Sequence, residues 1–228
     1  MEKNYESANT VSASHQLADD ENVFFLKGKN APGRRILFVG NSITLHSPCP
    51  EIGWHGEWGM AASDPAHDYV HLVLSALGRQ GLVSGAIAHV ADWERNYWSE
   101  GLLHNACQEA VDWRPQLVIV RVGENIQTEA MAAHPLQPCF EAMVRFFAGD
   151  HAKVVVTDVF WPNAEKERII ADVARTLHAP LVRLADLGAQ DGMKAIGRFE
   201  HGGVAAHPGD AGMAAIATRI LAAIQDCC

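Results

Sequence analysis

Three short segments, far apart in the chain, carry the residue types needed to open an acyl bond. Gly40-Asn41-Ser42-Ile43-Thr44 directly follows the apolar run Arg35-Ile36-Leu37-Phe38-Val39. A small polar turn after a buried strand exposes a hydroxyl at the carboxyl end of a sheet, and a helix starting there would add its positive end. Gly123-Glu124-Asn125 follows a second apolar run, Leu117-Val118-Ile119-Val120. An Asn amide emerging on that same edge can donate a hydrogen bond to a developing oxyanion. Ala206-His207-Pro208-Gly209-Asp210 lies near the end of the chain, where an imidazole ahead of a last helix can swing over the edge as general base for Ser42. Taken singly, each element also reads as ordinary structure: a Gly-Asn-Ser turn, a loop Asn bonded to its own backbone, and one of 12 histidines beside a proline turn.

The elements that must position these residues follow from hydrophobic periodicity. Runs apolar on both faces, at 35–39, 83–90, 117–120, 154–156 and more weakly 181–184, read as central parallel strands. A further short apolar piece covers 23–26. Helical spacing is expected over 68–80, 94–113, 136–148, 163–177 and 210–225, the last with Met213, Ile216, Ile220 and Ile224 on one face and Asp210 as its N-cap. Alternation of this kind implies a three-layer α/β/α domain with about five parallel strands, in which ligands sit beyond the carboxyl ends of the strands. Residues 1–22 are polar and unpatterned and are expected to form a flexible arm or a contact in a homo-oligomer, ahead of a single domain over 23–228. The stretch 45–65 is long for a loop, and long loops in compact domains tend to be functional.

The order Ser after the first core strand, Gly-x-Asn after a middle strand and His-Pro before the last helix resembles the SGNH (GDSL-like) hydrolase family. Gly40-Asn41-Ser42-Ile43-Thr44 is similar to that family's first block, with Asn where Asp is usual, while Gly123-Glu124-Asn125 is similar to its third and His207-Pro208 to its fifth. The resemblance spans about 35–224. It implies a flavodoxin-like sheet, Ser42 as nucleophile, His207 as base, Asn125 as oxyanion donor, and neither metal nor organic cofactor. Two departures stand out. Val204 occupies the place, three before the histidine, where the family carries an acid; that leaves a Ser-His dyad oriented by a backbone carbonyl, or an acid supplied by Glu200 or Glu124. The second-block glycine is missing from His89-Val90-Ala91-Asp92-Trp93-Glu94-Arg95-Asn96, so its backbone donor would have to come from Trp93 or Glu94. Gly123 and Trp161 complete the expected oxyanion and substrate-binding set.

Composition narrows the partners. With 228 residues, 48% of them hydrophobic, the chain can bury a substantial core, and 18 Lys+Arg against 27 Asp+Glu gives a formal charge of −9. Nucleic acid is therefore not an expected partner, because phosphate binding needs a basic footprint. No apolar run is long enough to span a membrane, and no secretory signal is seen, so a cytoplasmic location is expected. Five cysteines (Cys49, Cys107, Cys139, Cys227, Cys228) lack CxxC spacing and read as reduced thiols. His46, His55 and Cys49 match no metal-ligand spacing. Trp54, Trp58, Trp93, Tyr97, Trp98 and Trp161 fall beside the expected carboxyl edge, where aromatic faces suit sugar rings and acyl chains. The expectation is a serine esterase for a short-acyl, acetyl-type ester on a carbohydrate or small metabolite; a lysophospholipase- or thioesterase-like hydrolase and a non-catalytic binding protein are the alternatives.

Overall fold

A computed structural model describes residues 16–17 and 21–225. Six strands form one sheet: β1 (Val23–Phe25), β2 (Arg34–Gly40), β3 (Val83–His89), β4 (Leu117–Arg121), β5 (Lys153–Thr157) and β6 (Leu181–Val182), in the order β1-β3-β2-β4-β5-β6. β2 to β6 are mutually parallel and β1 runs antiparallel to β3. The expected five-stranded parallel sheet is therefore extended by an antiparallel edge strand, made by the short apolar piece after residue 22. Numbered among themselves, the parallel strands have the doubly wound order 2-1-3-4-5, whose switch point lies between β2 and β4. Ser42 follows β2 and Asn125 follows β4, so both leave the sheet at the crevice where the winding direction reverses.

Period-two alternation decides what each strand buries. Leu37, Val39, Val118 and Val120 join one apolar cluster, while Ile36, Phe38, Leu117 and Ile119 join the other. The first cluster is covered by α3 (Leu102–Asp112), α4 (Leu136–Ala148) and α5 (Ala164–Thr176). The second is covered by α1 (Tyr69–Gly78), the short α6 (Ala185–Gly188) and α8 (Asp210–Gln225), with α8 packed on both of the others. Asp68 and Asn163 cap α1 and α5 by accepting backbone N–H bonds from His71 and Lys166. No helix among the described residues is long and apolar enough to cross a membrane.

Two expectations are corrected. The helix expected over 94–113 is two helices, α2 (Ala91–Arg95) and α3, parted by a turn that ends at Gly101 with φ 81°. Asp210 does not cap α8 with its side chain; as the first helical residue it accepts the Ser63 N–H at 2.8 Å and pairs with Arg198 at 3.2 Å, tying the long loop to the C-terminal region. The arm expected over 1–22 lies largely outside the described residues, but Gln16 is buried against the domain: Ser47 N–H donates to its carbonyl at 2.9 Å, and Leu17 packs on the α1–α8 side. Cys227 and Cys228 also lie outside the described residues.

The stretch 45–65 is a folded excursion. His46 pairs with Trp58 and Cys49 with Trp54 as isolated antiparallel bridges, and the indole of Trp54 donates to the His46 carbonyl at 3.1 Å. Trp54 is 2% exposed and packs edge-on against Trp58, beside Met60, Ala195, Val204 and Phe199. It therefore pins the loop to the segment that precedes His207. Trp54→Ala is expected to lower stability by about 3–5 kcal/mol, as for other buried aromatic truncations; urea unfolding checks this.

Candidate active site

Ser42 and His207 meet. Ser42 Oγ lies 3.0 Å from His207 Nε2, and His207 Nδ1 lies 2.7 Å from the Gly203 carbonyl oxygen. A carbonyl only accepts, so Nδ1 carries the proton, Nε2 presents its lone pair, and the Ser42 hydroxyl donates to it. Burial of the ring pushes its pKa down to about 4; the Gly203 carbonyl and Glu124 oppose this, while His46 and Arg121 add to it. The imidazole is therefore neutral at pH 7. Trp161 stands perpendicular to it, 5.0 Å between centroids, held by its own N–H on the Ala206 carbonyl at 3.1 Å.

Local geometry explains how each side chain arrives there. The Asn41 carbonyl accepts the N–H groups of Thr44 (2.8 Å) and Leu45 (3.0 Å), which closes a turn with Ser42 at its tip. This turn, and no helix N-terminus, follows β2, so the expected dipole is absent. Gly40 is required, because a Cβ there would lie 1.8 Å from Thr44 Oγ1. Among the described residues the Ser42 N–H has no acceptor. His207 follows the short helix α7 (Gly202–Ala206), whose Gly203 carbonyl holds its ring. No acid does so. Glu200 is exposed, and Glu124 is engaged elsewhere, which corrects both as orienting acids.

Beneath the two turns lies a buried polar cluster that the sequence reading missed. Arg121, the last residue of β4, is fully buried and grips Glu124 through two N–H groups at 2.8 and 3.1 Å. It also donates to Asn41 Oδ1. Glu124 accepts from Asn41 Nδ2 at 2.8 Å and from the Phe160 N–H at 2.9 Å. Burial pushes the Glu124 carboxyl up, but Arg121 and these hydrogen bonds outweigh it and hold the group below its ordinary value. Glu94, fully buried, accepts from Asn41 Nδ2 (3.0 and 3.1 Å), from the Gly123 N–H (2.5 Å) and from Asn125 Nδ2 (2.6 Å). Burial, with Glu124 nearby, raises its pKa. Lys166 closes the cluster by donating to the Gly123 carbonyl at 3.0 Å. One signal was legible: a lone Arg ending an apolar strand.

This cluster corrects two expected substrate-binding residues. The Gly123 N–H is spent on Glu94, and its φ of 131°, with Val159 Cγ1 only 2.7 Å from a would-be Cβ, makes the glycine a backbone requirement. The Glu94 N–H donates to the Val90 carbonyl inside α2, so it does not replace the second-block glycine. The Trp93 ring packs on Tyr97 and Phe140 in the core and does not line the cleft. Of the six aromatics, only Trp161 lines the cleft; Trp98 lies at the surface, stacked on His134. The cleft holds about 380 Å³ and brings Ser42, His207, Asn125 and Trp161 together with Met60 and Ile52 of the long loop. His46 Nδ1 faces the Ser47 carbonyl at 2.6 Å, and no group of three or more His, Cys, Asp or Glu among the described residues could hold a metal.

No protein-family model and no curated protein matches the sequence. Solved structures do match over nearly the whole domain. A psychrotrophic esterase, EstA, from Pseudoalteromonas sp. is 13% identical, with 85% of this chain and 98% of that chain covered at a TM-score of 0.53. The acetyl xylan esterase AlAXEase is 16% identical over 83% and 99% of the two chains, with a TM-score of 0.54. TesA is 21% identical over 85% and 99%, also with a TM-score of 0.54. This chain shares their three-layer α/β/α fold.

Arg121→Met tests whether the cluster holds the site together. Leaving buried carboxylates without their cation costs about 3–5 kcal/mol, so a large fall in the thermal midpoint is expected; an unchanged midpoint would show the ion pair to be dispensable.

Proposed function

We propose that this protein is a serine hydrolase of the SGNH (GDSL-like) type that cleaves a short-acyl, acetyl-type ester on a carbohydrate or small metabolite. The contact between Ser42 Oγ and a neutral His207 carries the reading. Nε2 takes the hydroxyl proton as Oγ attacks the acyl carbon, and the carbonyl electrons move onto oxygen. Asn125 Nδ2, whose second hydrogen is not used by Glu94, and the Ser42 N–H donate to that oxyanion. Collapse expels the alcohol, which takes the proton from His207; water, deprotonated by the same ring, then frees the acid from Ser42. Gly203 keeps the ring in the useful tautomer, the part an acid plays in a triad. Support for the short acyl group comes from the cleft volume, near the lower end for small-molecule sites, and from the fold shared with an acetyl xylan esterase.

A fluorophosphonate probe is expected to label the protein and not its Ser42→Ala variant; labelling that survives the substitution rejects the nucleophile. Glu200→Gln should hydrolyse p-nitrophenyl acetate at the wild-type rate, whereas a loss of about 10⁴-fold would restore a triad acid. A p-nitrophenyl ester series is expected to favour acetyl over long chains, the reverse order favouring the lysophospholipase-like alternative.

Acid dependence follows from the buried ring. A free imidazole protonates near pH 6.5, about two or more units above His207, so the basic lone pair survives well below the usual value. The kcat/KM for p-nitrophenyl acetate should stay level down to about pH 5.5 and fall towards about pH 4, with enzyme returned to pH 7 as the control for unfolding. A limb centred near 6.5 would contradict this environment for His207.

A further inference from the structure

The Asn125 amide is clamped between two side chains: Nδ2 donates to Glu94 Oε2 at 2.6 Å, and Oδ1 accepts from Gln16 Nε2 at 3.3 Å. A planar amide has two nearly isosteric orientations, half a turn apart, and only its partners choose between them. Here the choice is forced from groups that cannot reverse their roles. Arg121 can only donate, so Asn41 turns its oxygen to Arg121 and its nitrogen to Glu94. The Gly123 backbone N–H can only donate, so Glu94 Oε1 must accept. Every hydrogen-bond partner of the Glu94 side chain is thus a donor, and a carboxylate is the side chain that satisfies all of them.

We infer that Glu94 is a positioning residue that fixes which end of the Asn125 amide faces the reacting carbonyl, with Gln16, from the segment ahead of β1, as the second jaw. Glu94 does not touch substrate: it is fully buried, and the cleft is reached through Asn125. This rests on the hydrolase reading above, in which Asn125 Nδ2 serves the oxyanion.

In Glu94→Gln the one remaining oxygen stays with the Gly123 N–H, which leaves the new amide nitrogen facing Asn125 Nδ2. Two donors in contact are relieved by a half-turn of Asn125, which removes its N–H from the oxyanion. The kcat for p-nitrophenyl acetate is then expected to fall about 10²–10³-fold, the loss of one oxyanion donor, with KM nearly unchanged. Asn125→Ala should lose a similar factor, and the double variant no more than Asn125→Ala alone. Losses that multiply in the double variant, or a wild-type kcat in Glu94→Gln, overturn the inference while leaving the hydrolase reading intact. An undiminished kcat in Asn125→Ala overturns the donor role and this inference with it. Should Glu94→Gln not fold, Gln16→Ala serves instead: losing one hydrogen bond should lower kcat about 5-fold, and this loss should vanish in the Asn125→Ala background. An equal loss in both backgrounds overturns the inference.

Discussion

The grip of Arg121 on Glu124 and Asn41 is the constraint on which the site depends. Two turns leave adjacent parallel strands, one carrying Ser42 and the other Asn125, and nothing in strand pairing alone fixes their relative positions beyond Gly40 and Arg121. A fully buried guanidinium between them converts two loops into one rigid floor. Removing such a charge from water is costly, and the cost is offset by the Glu124 carboxylate and the Asn41 oxygen on its two terminal nitrogens, although the buried Nε has no partner among the described residues. Such a cluster is a specificity device: it tolerates one arrangement of the turns and penalises the rest.

The floor holds two carboxylates, and their burial is made tolerable in different ways. Glu124 is matched by Arg121 and remains ionised below its usual range, whereas Glu94 has three hydrogen-bond donors and an elevated proton affinity. Lys166, buried and depressed in pKa, adds a cation at the Gly123 carbonyl. Arg121 and Lys166 thus balance the two carboxylates.

The His207 ring is oriented without an acid. Glu124 and Glu200 were the candidates open in the sequence, and one is locked to Arg121 while the other is exposed. The Gly203 carbonyl fixes the tautomer as a carboxylate would, but without a negative charge to stabilise an imidazolium. Burial then dominates and His207 sits at a low pKa. Such a ring is a weaker base that is available over a wider range of acidity.

Much of the architecture was legible because strands apolar on both faces and helices with a 3.6-residue period are local patterns: the five parallel strands fall where the runs 35–39, 83–90, 117–120, 154–156 and 181–184 lie, and α1, α4, α5 and α8 fall close to their expected spans. The meeting of Ser42 and His207 was legible only through the order of three motifs. The sequence could not reveal the cluster, because Glu94, the Arg121–Glu124 pair and Lys166 are tens of residues apart, show no shared periodicity, and each reads as a solvated charge. Nor could it reveal Trp93 turned into the core, the Gly123 N–H spent on Glu94, or Gln16 folded back onto the cleft. Patterns between neighbours in the chain determine which elements form; which polar groups share a buried space depends on strand order and register, and that exists only once the sheet has assembled.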